Sequence, residues 1–91
     1  MIKVLIADDQ EIVCEGLKRI LESDPEIRVT GIANDGQEAL DLIEQDLPDL
    51  VLMDLQMPRM NGVQAIRRLR MTHPRLPVLV LTTYMDDKWL F

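Results

Sequence analysis

Three short apolar runs decide most of what this chain can fold into, because each ends on polar residues suited to phosphate or metal chemistry. Val4-Leu5-Ile6-Ala7 runs into Asp8-Asp9, Leu50-Val51-Leu52-Met53 into Asp54, and Val78-Leu79-Val80-Leu81 into Thr82-Thr83. Unbroken runs of this length, rich in Val, Ile and Leu, suit strands of a parallel sheet covered on both faces. Parallel strands end on the same edge of their sheet, and in an open α/β sheet that edge is where ligands bind. Three carboxylates and a hydroxyl from distant parts of the sequence are therefore expected to converge there. This edge is the candidate active site.

At 91 residues the chain holds at most one domain, and a domain of that size buries only about 60 to 68 % of the surface its unfolded form exposes. No apolar stretch approaches the roughly 20 residues of a membrane span. Met1-Ile2-Lys3-Val4 leads directly into a strand with no secretory pattern, so a cytoplasmic location without a membrane partner is expected. Cys14 is the single cysteine and His73 the single histidine, which leaves no internal disulfide and no Cys/His zinc cluster. Nothing beside Cys14 lowers its pKa, so it reads as an ordinary thiol.

The net charge of −6 argues against this segment gripping nucleic acid by itself, since backbone binding rests on clustered Lys and Arg. Acids crowd residues 8 to 54, whereas residues 59 to 75 hold Arg59, Arg67, Arg68, Arg70, His73 and Arg75 and no acid. That segment is either a solvated helix face or a docking surface for an acidic partner.

Between the first two strands, Gln10 to Ser23 carries apolar residues at 13, 17, 20 and 21, which is helical spacing, and Asp24-Pro25 closes it. Ile27 to Ala33 alternates β-branched and polar residues as a strand near a sheet edge does, and Asn34-Asp35-Gly36 supplies a turn. Ala39, Leu40 and Ile43 mark a second helix that ends near Leu47-Pro48. After Leu50 to Met53 come a loop from Asp54 to Asn61 and a helix from about Gly62 to Met71, with Val63, Ile66 and Leu69 expected inward. Pro74 and Pro77 precede the strand that starts at Val78. The order βαβαβαβ with short loops gives a doubly wound α/β sandwich built by right-handed crossovers. Residues 84 to 91 resemble the start of another helix, with Asp86 placed to cap it. A chain that closes on Trp89-Leu90-Phe91 suggests a domain only partly represented.

Asp8 and Asp9 sit where the first strand turns toward the first helix, and N-capping would account for one of them. Two adjacent acids with Asp54 at the neighbouring strand end would repel by about 3 kcal/mol per pair at ~5 Å and an effective dielectric near 20. A divalent cation removes that cost, and an all-oxygen set with positions left for water suits Mg²⁺ or Mn²⁺ better than zinc. Beside such an ion Asp54 is a ligand, a nucleophile or both. As a nucleophile it would form an acyl phosphate, adding about −1.5 to −2 charge at one strand end. Thr82 offers a hydroxyl on the same edge, and Tyr84 could change rotamer as Thr82 moves.

Asp8-Asp9 after the first strand, Asp54 within Met-Asp-Leu-Gln-Met-Pro-Arg-Met-Asn-Gly (53 to 62), and Leu-Thr-Thr-Tyr (81 to 84) after the fourth resemble a response regulator receiver domain. The likeness covers all 91 residues, and Pro58 and Gly62, four and eight positions after Asp54, make it specific. Leu-Thr-Thr-Tyr and Ala33-Asn34-Asp35-Gly36-Gln37-Glu38-Ala39-Leu40 are similar to the NarL/FixJ branch, whose members usually carry a C-terminal helix-turn-helix domain. The resemblance implies a flavodoxin/CheY-like sheet of strand order 2-1-3-4, with the fifth strand and last helix missing. It implies that Asp54 accepts a phosphoryl group from a sensor histidine kinase, that Asp9 binds Mg²⁺ directly and Asp8 through water, and that the Gln56 carbonyl completes the protein ligands. Thr82 would be the switch hydroxyl and Tyr84 the aromatic switch. The family's active-site lysine has no counterpart here, since Lys88 falls in the expected fourth helix. A domain lacking those last elements is expected to transfer phosphate poorly and to pair with a second copy through its strand edge or by swapping. Dimerisation and DNA binding would be controlled in the intact protein, DNA being reached only through a further C-terminal domain.

Two other functions compete with this switch. A haloacid dehalogenase-type phosphatase would want an acid two residues after its nucleophile, where Gln56 stands; the switch, by contrast, catalyses only its own phosphorylation and dephosphorylation and is not otherwise an enzyme. A receiver-like interaction module that works unphosphorylated is the second competitor. A dinucleotide-binding fold is excluded by Asp8-Asp9-Gln10 in the turn that would need glycines.

Overall fold

A computed structural model of the chain describes residues 1–81. It contains β1 (Ile2–Ala7), α1 (Glu11–Glu22), β2 (Ile27–Ala33), α2 (Gly36–Gln45), β3 (Leu50–Asp54), α3 (Gly62–Thr72) and β4 (Val78–Leu81). The four strands form one parallel sheet in the order β2-β1-β3-β4, the flavodoxin-like arrangement expected from the sequence. Chain order reverses between β1 and β3, which opens a crevice at their carboxyl ends.

The apolar runs fill both faces of the sheet by alternation. Val4 and Ile6 of β1 and Leu52 of β3 pack with Cys14, Leu17 and Leu21 of α1. Leu5, Ala7, Val51 and Met53 point the other way, into a core closed by Ala39 and Ile43 of α2 and Ala65 and Leu69 of α3. Ile6, Ile43 and Leu69 are essentially inaccessible, and burying a side chain of this kind contributes about 1.5–3 kcal/mol. One irregularity interrupts β1 and β2: Val4 pairs with Val29 but Leu5 with Gly31, so Thr30 is the extra residue of a bulge, and its hydroxyl donates to the Val4 carbonyl at 3.4 Å.

Helix faces differ from the expectation at two positions. Ile20 and Val63 are exposed, at 70 % and 42 %. In α1 the inward row is Cys14, Leu17 and Leu21, three and four residues apart, which turns Ile20 to the outside. In α3 the row is Gly62, Ala65 and Leu69, because the helix starts against the end of β3 and only glycine fits there. Val63 is thereby turned outward. β4 is the outer strand of the described sheet, hydrogen-bonded to β3, and Leu79 and Val80 are half exposed rather than covered as in β1.

Capping sets where α2 and α3 begin. Asp35 is the N-cap of α2, its Oδ1 accepting from the Glu38 N–H at 2.8 Å, so Gly36 belongs to the helix and not to a free turn. Asn61 and Gln64 form a reciprocal capping box on α3, at 2.9 and 3.0 Å.

Candidate functional site: a carboxylate cluster at the strand ends

The register of β1 and β3 builds the site. Ala7 pairs with Met53, so the next residues, Asp8 and Asp54, leave adjacent strands side by side at about the 4.8 Å strand spacing. Both continue the alternation that points Val4, Ile6 and Leu52 toward α1, so both carboxylates emerge on that side. Asp8, Asp9 and Asp54 each offer one oxygen, and these three atoms lie within 4.8 Å of one another. Asp8 and Asp54 are buried and Asp9 is exposed. The three acids expected from the sequence are therefore brought together. Gln56 follows on the loop, its N–H donating to Asp54 Oδ1 at 3.2 Å. Thr82 and Tyr84, together with the helix expected after Asp86, lie outside the described residues.

Capping does not explain Asp8 or Asp9. The N-cap of α1 is Gln10, which makes no side-chain cap bond. Asp8 Oδ1 instead accepts from the Gln10 N–H at 2.8 Å, while its Oδ2 is buried with no hydrogen-bond partner among the described residues. Burial above all pushes the Asp8 carboxyl above its ordinary value of 3.8, with Asp54 and Asp9 repelling its charge and the Gln10 N–H pulling the other way. A buried, like-charged oxygen without a donor is costly as it stands. A hard divalent cation is the partner that satisfies it without a hydrogen, and an all-carboxylate set open to solvent through Asp9 suits Mg²⁺. The residues present fit such an ion.

The sign of the Asp8 shift yields a prediction. A carboxyl whose folded pKa is raised penalises the fold at neutral pH, and the penalty fades as pH falls through that raised pKa toward 3.8. Asp8→Asn keeps the acceptor for Gln10 and removes the charge. In the absence of divalent cations its melting temperature is expected to exceed the wild type's, by about 4–8 °C per kcal/mol of relieved repulsion in a domain this small. Added Mg²⁺ should then raise the wild-type melting temperature and leave the variant nearly unmoved. Calorimetric scans with chelator and with Mg²⁺ measure both, and a variant that melts below wild type in chelator contradicts the electrostatic account.

Cys14 lies under this cluster, its thiol donating to the Asp8 carbonyl at 3.2 Å. Burial first, then the charges of Asp8 and Asp9, pushes it up to about 11. Only the thiolate reacts with alkylating or disulfide reagents, so the folded protein is expected to resist Ellman's reagent near neutral pH and to react stoichiometrically once denatured. Fast labelling of folded protein would contradict this burial.

Sequence reasoning missed a second charged group, at the start of α2. Asp35 is 7 % exposed at its side chain and is paired with Arg59, whose Nε donates to its Oδ2 at 2.7 Å and whose Nη2 lies 2.5 Å from the same oxygen. The Glu38 N–H and Arg59 hold its carboxyl below the usual range, so its contribution to stability is present above pH 3.8 and lost below it. The Asp35-x-x-Glu38 spacing does signal a helix start, but nothing local links Asp35 to a residue 24 positions away. The basic segment is thus partly engaged inside the fold: besides Arg59, Arg70 Nη1 donates to the Leu76 carbonyl at 2.9 Å.

Fold and site together define a doubly wound α/β protein with an acidic, cation-suited cluster at its topological switch point. Residues 4–90 match the response regulator receiver domain, and the chain belongs to that family. It is 42 % identical over 89 residues to the transcriptional regulatory protein DegU of Brevibacillus brevis, covering 98 % of this chain and 38 % of that protein. The receiver domain of the putative response regulator NarL from Mycobacterium tuberculosis superposes with a TM-score of 0.82 at 35 % identity, over 96 % of this chain and 70 % of that one. RcsB of Salmonella enterica serovar Typhimurium, solved on the rprA promoter with the phosphomimetic BeF3-, superposes at 0.84 and 27 % identity, over 99 % and 76 %. The chain thus spans about two fifths of DegU's length. Among the described residues no helix is long and apolar enough to cross a membrane.

Proposed function

We propose that this chain is the phosphoacceptor of a two-component response regulator, taking a phosphoryl group onto Asp54 from a sensor histidine kinase. The observation that carries the reading is the meeting of three carboxylates within 4.8 Å, one of them with a buried oxygen that has no donor among the described residues. An Asp54 oxygen attacks phosphorus, the O–P bond forms as the P–N bond of a phosphohistidine breaks, and the bond pair leaves on the imidazole nitrogen. Asp8, Asp9, Asp54 and the Gln56 carbonyl would hold Mg²⁺, which when bound would supply the positive charge that lets a dianionic phosphoryl group approach three carboxylates. Asp54 is kept in place by the Gln56 N–H and by the strand pairing of Asp54 with Leu81. Thr82 serves as the switch hydroxyl, with Tyr84 as its aromatic companion. The chain acts on itself alone.

The acyl phosphate adds charge at the carboxyl end of β3 and reorganises the neighbouring strand end. By likeness to the transcriptional regulatory protein DegU and to promoter-bound RcsB, this change would act on a DNA-binding domain outside these 91 residues, and dimerisation is the step through which we infer it does so. Incubation with a small acyl phosphate donor tests the reading. One phosphate per chain in the intact protein, dependent on Mg²⁺ and cleaved by hydroxylamine, is the expected result, with weaker labelling of these 91 residues alone. Absence of label in the intact protein would favour an interaction module, and continuous release of phosphate a phosphatase.

A further inference from the structure

The β3–α3 loop, residues 55 to 61, is tied to the first residues of α2 at two successive positions. Arg59 donates through Nε to Asp35 Oδ2 at 2.7 Å with Nη2 at 2.5 Å, and the Met60 carbonyl accepts from the Gly36 N–H at 2.7 Å. The second tie is close enough that a Cβ on Gly36 would sit 2.6 Å from the Met60 carbonyl oxygen and 2.8 Å from its Cγ. Asp35 is suited to anchor the loop because its other oxygen is already fixed by the Glu38 N–H at the helix start.

The backbone at Arg59 argues that the side chain, not the turn, is what the position requires. Its φ is 62°, in the left-handed region that favours glycine, and it is the sole non-glycine residue with positive φ among the described residues. A long cation carries that cost while its guanidinium lies mostly exposed, 69 % for the side chain, against a carboxylate that is almost fully covered. A pair with one arm in solvent is screened more than a fully buried one. Here it immobilises the loop that runs from Asp54 through Gln56.

We propose that Arg59 and Asp35 are positioning residues for cation binding: by clamping the β3–α3 loop onto the start of α2, they hold the Gln56 carbonyl and Asp54 in the arrangement that completes the cation site. This rests on the reading of Asp8, Asp9 and Asp54 as an Mg²⁺ site. The clamp touches neither ion nor phosphoryl group and works only by narrowing the places the loop can occupy, as outer partners of metal ligands do.

Mg²⁺ titration by calorimetry on the full-length protein tests it, using wild type, Arg59→Gly, Asp35→Asn, the double variant and Arg59→Lys. Glycine relieves the backbone at position 59, and asparagine keeps an acceptor for the Glu38 N–H, so the fold is expected to survive each change, with a lower melting temperature in chelator because the charge pair is lost. Each single variant should weaken Mg²⁺ by about tenfold, the double variant no further than either single, and Arg59→Lys should recover part of the loss. Wild-type affinity in Arg59→Gly, or losses that add in the double variant, would overturn the clamp. A wild-type protein that takes up no Mg²⁺ would overturn the site reading and the clamp with it, a failure told apart by the wild-type titration alone.

Discussion

Asp54→Asn is expected to reduce phosphate incorporation to background while leaving the fold intact. The amide retains an oxygen to accept from the Gln56 N–H, which lies 3.2 Å from Oδ1 in the wild type, and the strand pairing of residue 54 is made by backbone. What it loses is the carboxylate, and an amide oxygen is too weak a nucleophile to displace a leaving group from phosphorus at a useful rate. The same change removes a charge that repels Asp8, so the variant should melt at or above the wild-type temperature in chelator and bind Mg²⁺ more weakly. Phosphate labelling, thermal melting and a cation titration on one preparation separate these effects. Label persisting at the wild-type rate would place the acceptor elsewhere, with Asp8 and Asp9 the next carboxylates to replace.

Gly62→Ala is expected to be the most damaging single methyl in the described chain. An added Cβ would run into the Asp54 carbonyl oxygen and lie 2.8 Å from Leu55 Cα and 2.9 Å from the Asp54 carbonyl carbon, all of them backbone. No rotamer change relieves that clash. Either α3 retreats, losing the Gly62 N–H to Leu55 carbonyl bond at 3.1 Å, or the end of β3 moves and takes Asp54 with it. The cost is expected at the upper end of overpacking, about 3 kcal/mol, or a melting temperature lower by about 12–24 °C, with phosphate labelling reduced as well. Gly16→Ala is the matching control: nothing lies within 4 Å of its added Cβ in the middle of α1, and alanine there should stabilise by about 0.4–1 kcal/mol. A Gly62→Ala protein as stable as wild type would show that α3 can shift freely, and the tight junction between β3 and α3 would have no functional meaning.

The parts of the fold written as periodic apolar residues are legible in the amino-acid sequence, because burial follows period and the strands of a covered sheet need only be continuous. Val4 to Ala7 and Leu50 to Met53 are such runs, and their polar stops point directly to the acidic cluster. Two helix positions depart from their spacing for one reason: spacing defines a stripe but not its angular position when an inward residue is small or unusual. Cys14 displaces Ile20, and Ala65 behind Gly62 displaces Val63. The role of Asp8 is only half legible, since its type and place suggest capping or metal binding, and the choice depends on which atom of Gln10 it meets. The Arg59 to Asp35 pair is not legible at all, because long-range ion pairs obey no period and a glycine-like φ at an arginine leaves no trace in composition.

The placement of Asp8 and Asp54 on the α1 side of the sheet has a consequence for how such a chain can vary. Each acid reaches the crevice only because an even number of steps separates it from the inward residues of its own strand, Ile6 in one case and Leu52 in the other. Inserting or deleting one residue inside either strand would swing that carboxylate to the opposite layer and misface every hydrophobic neighbour at once. A change of length is therefore tolerable in the loops, where one residue more or less does not alter this count, while both strands are held to a fixed parity.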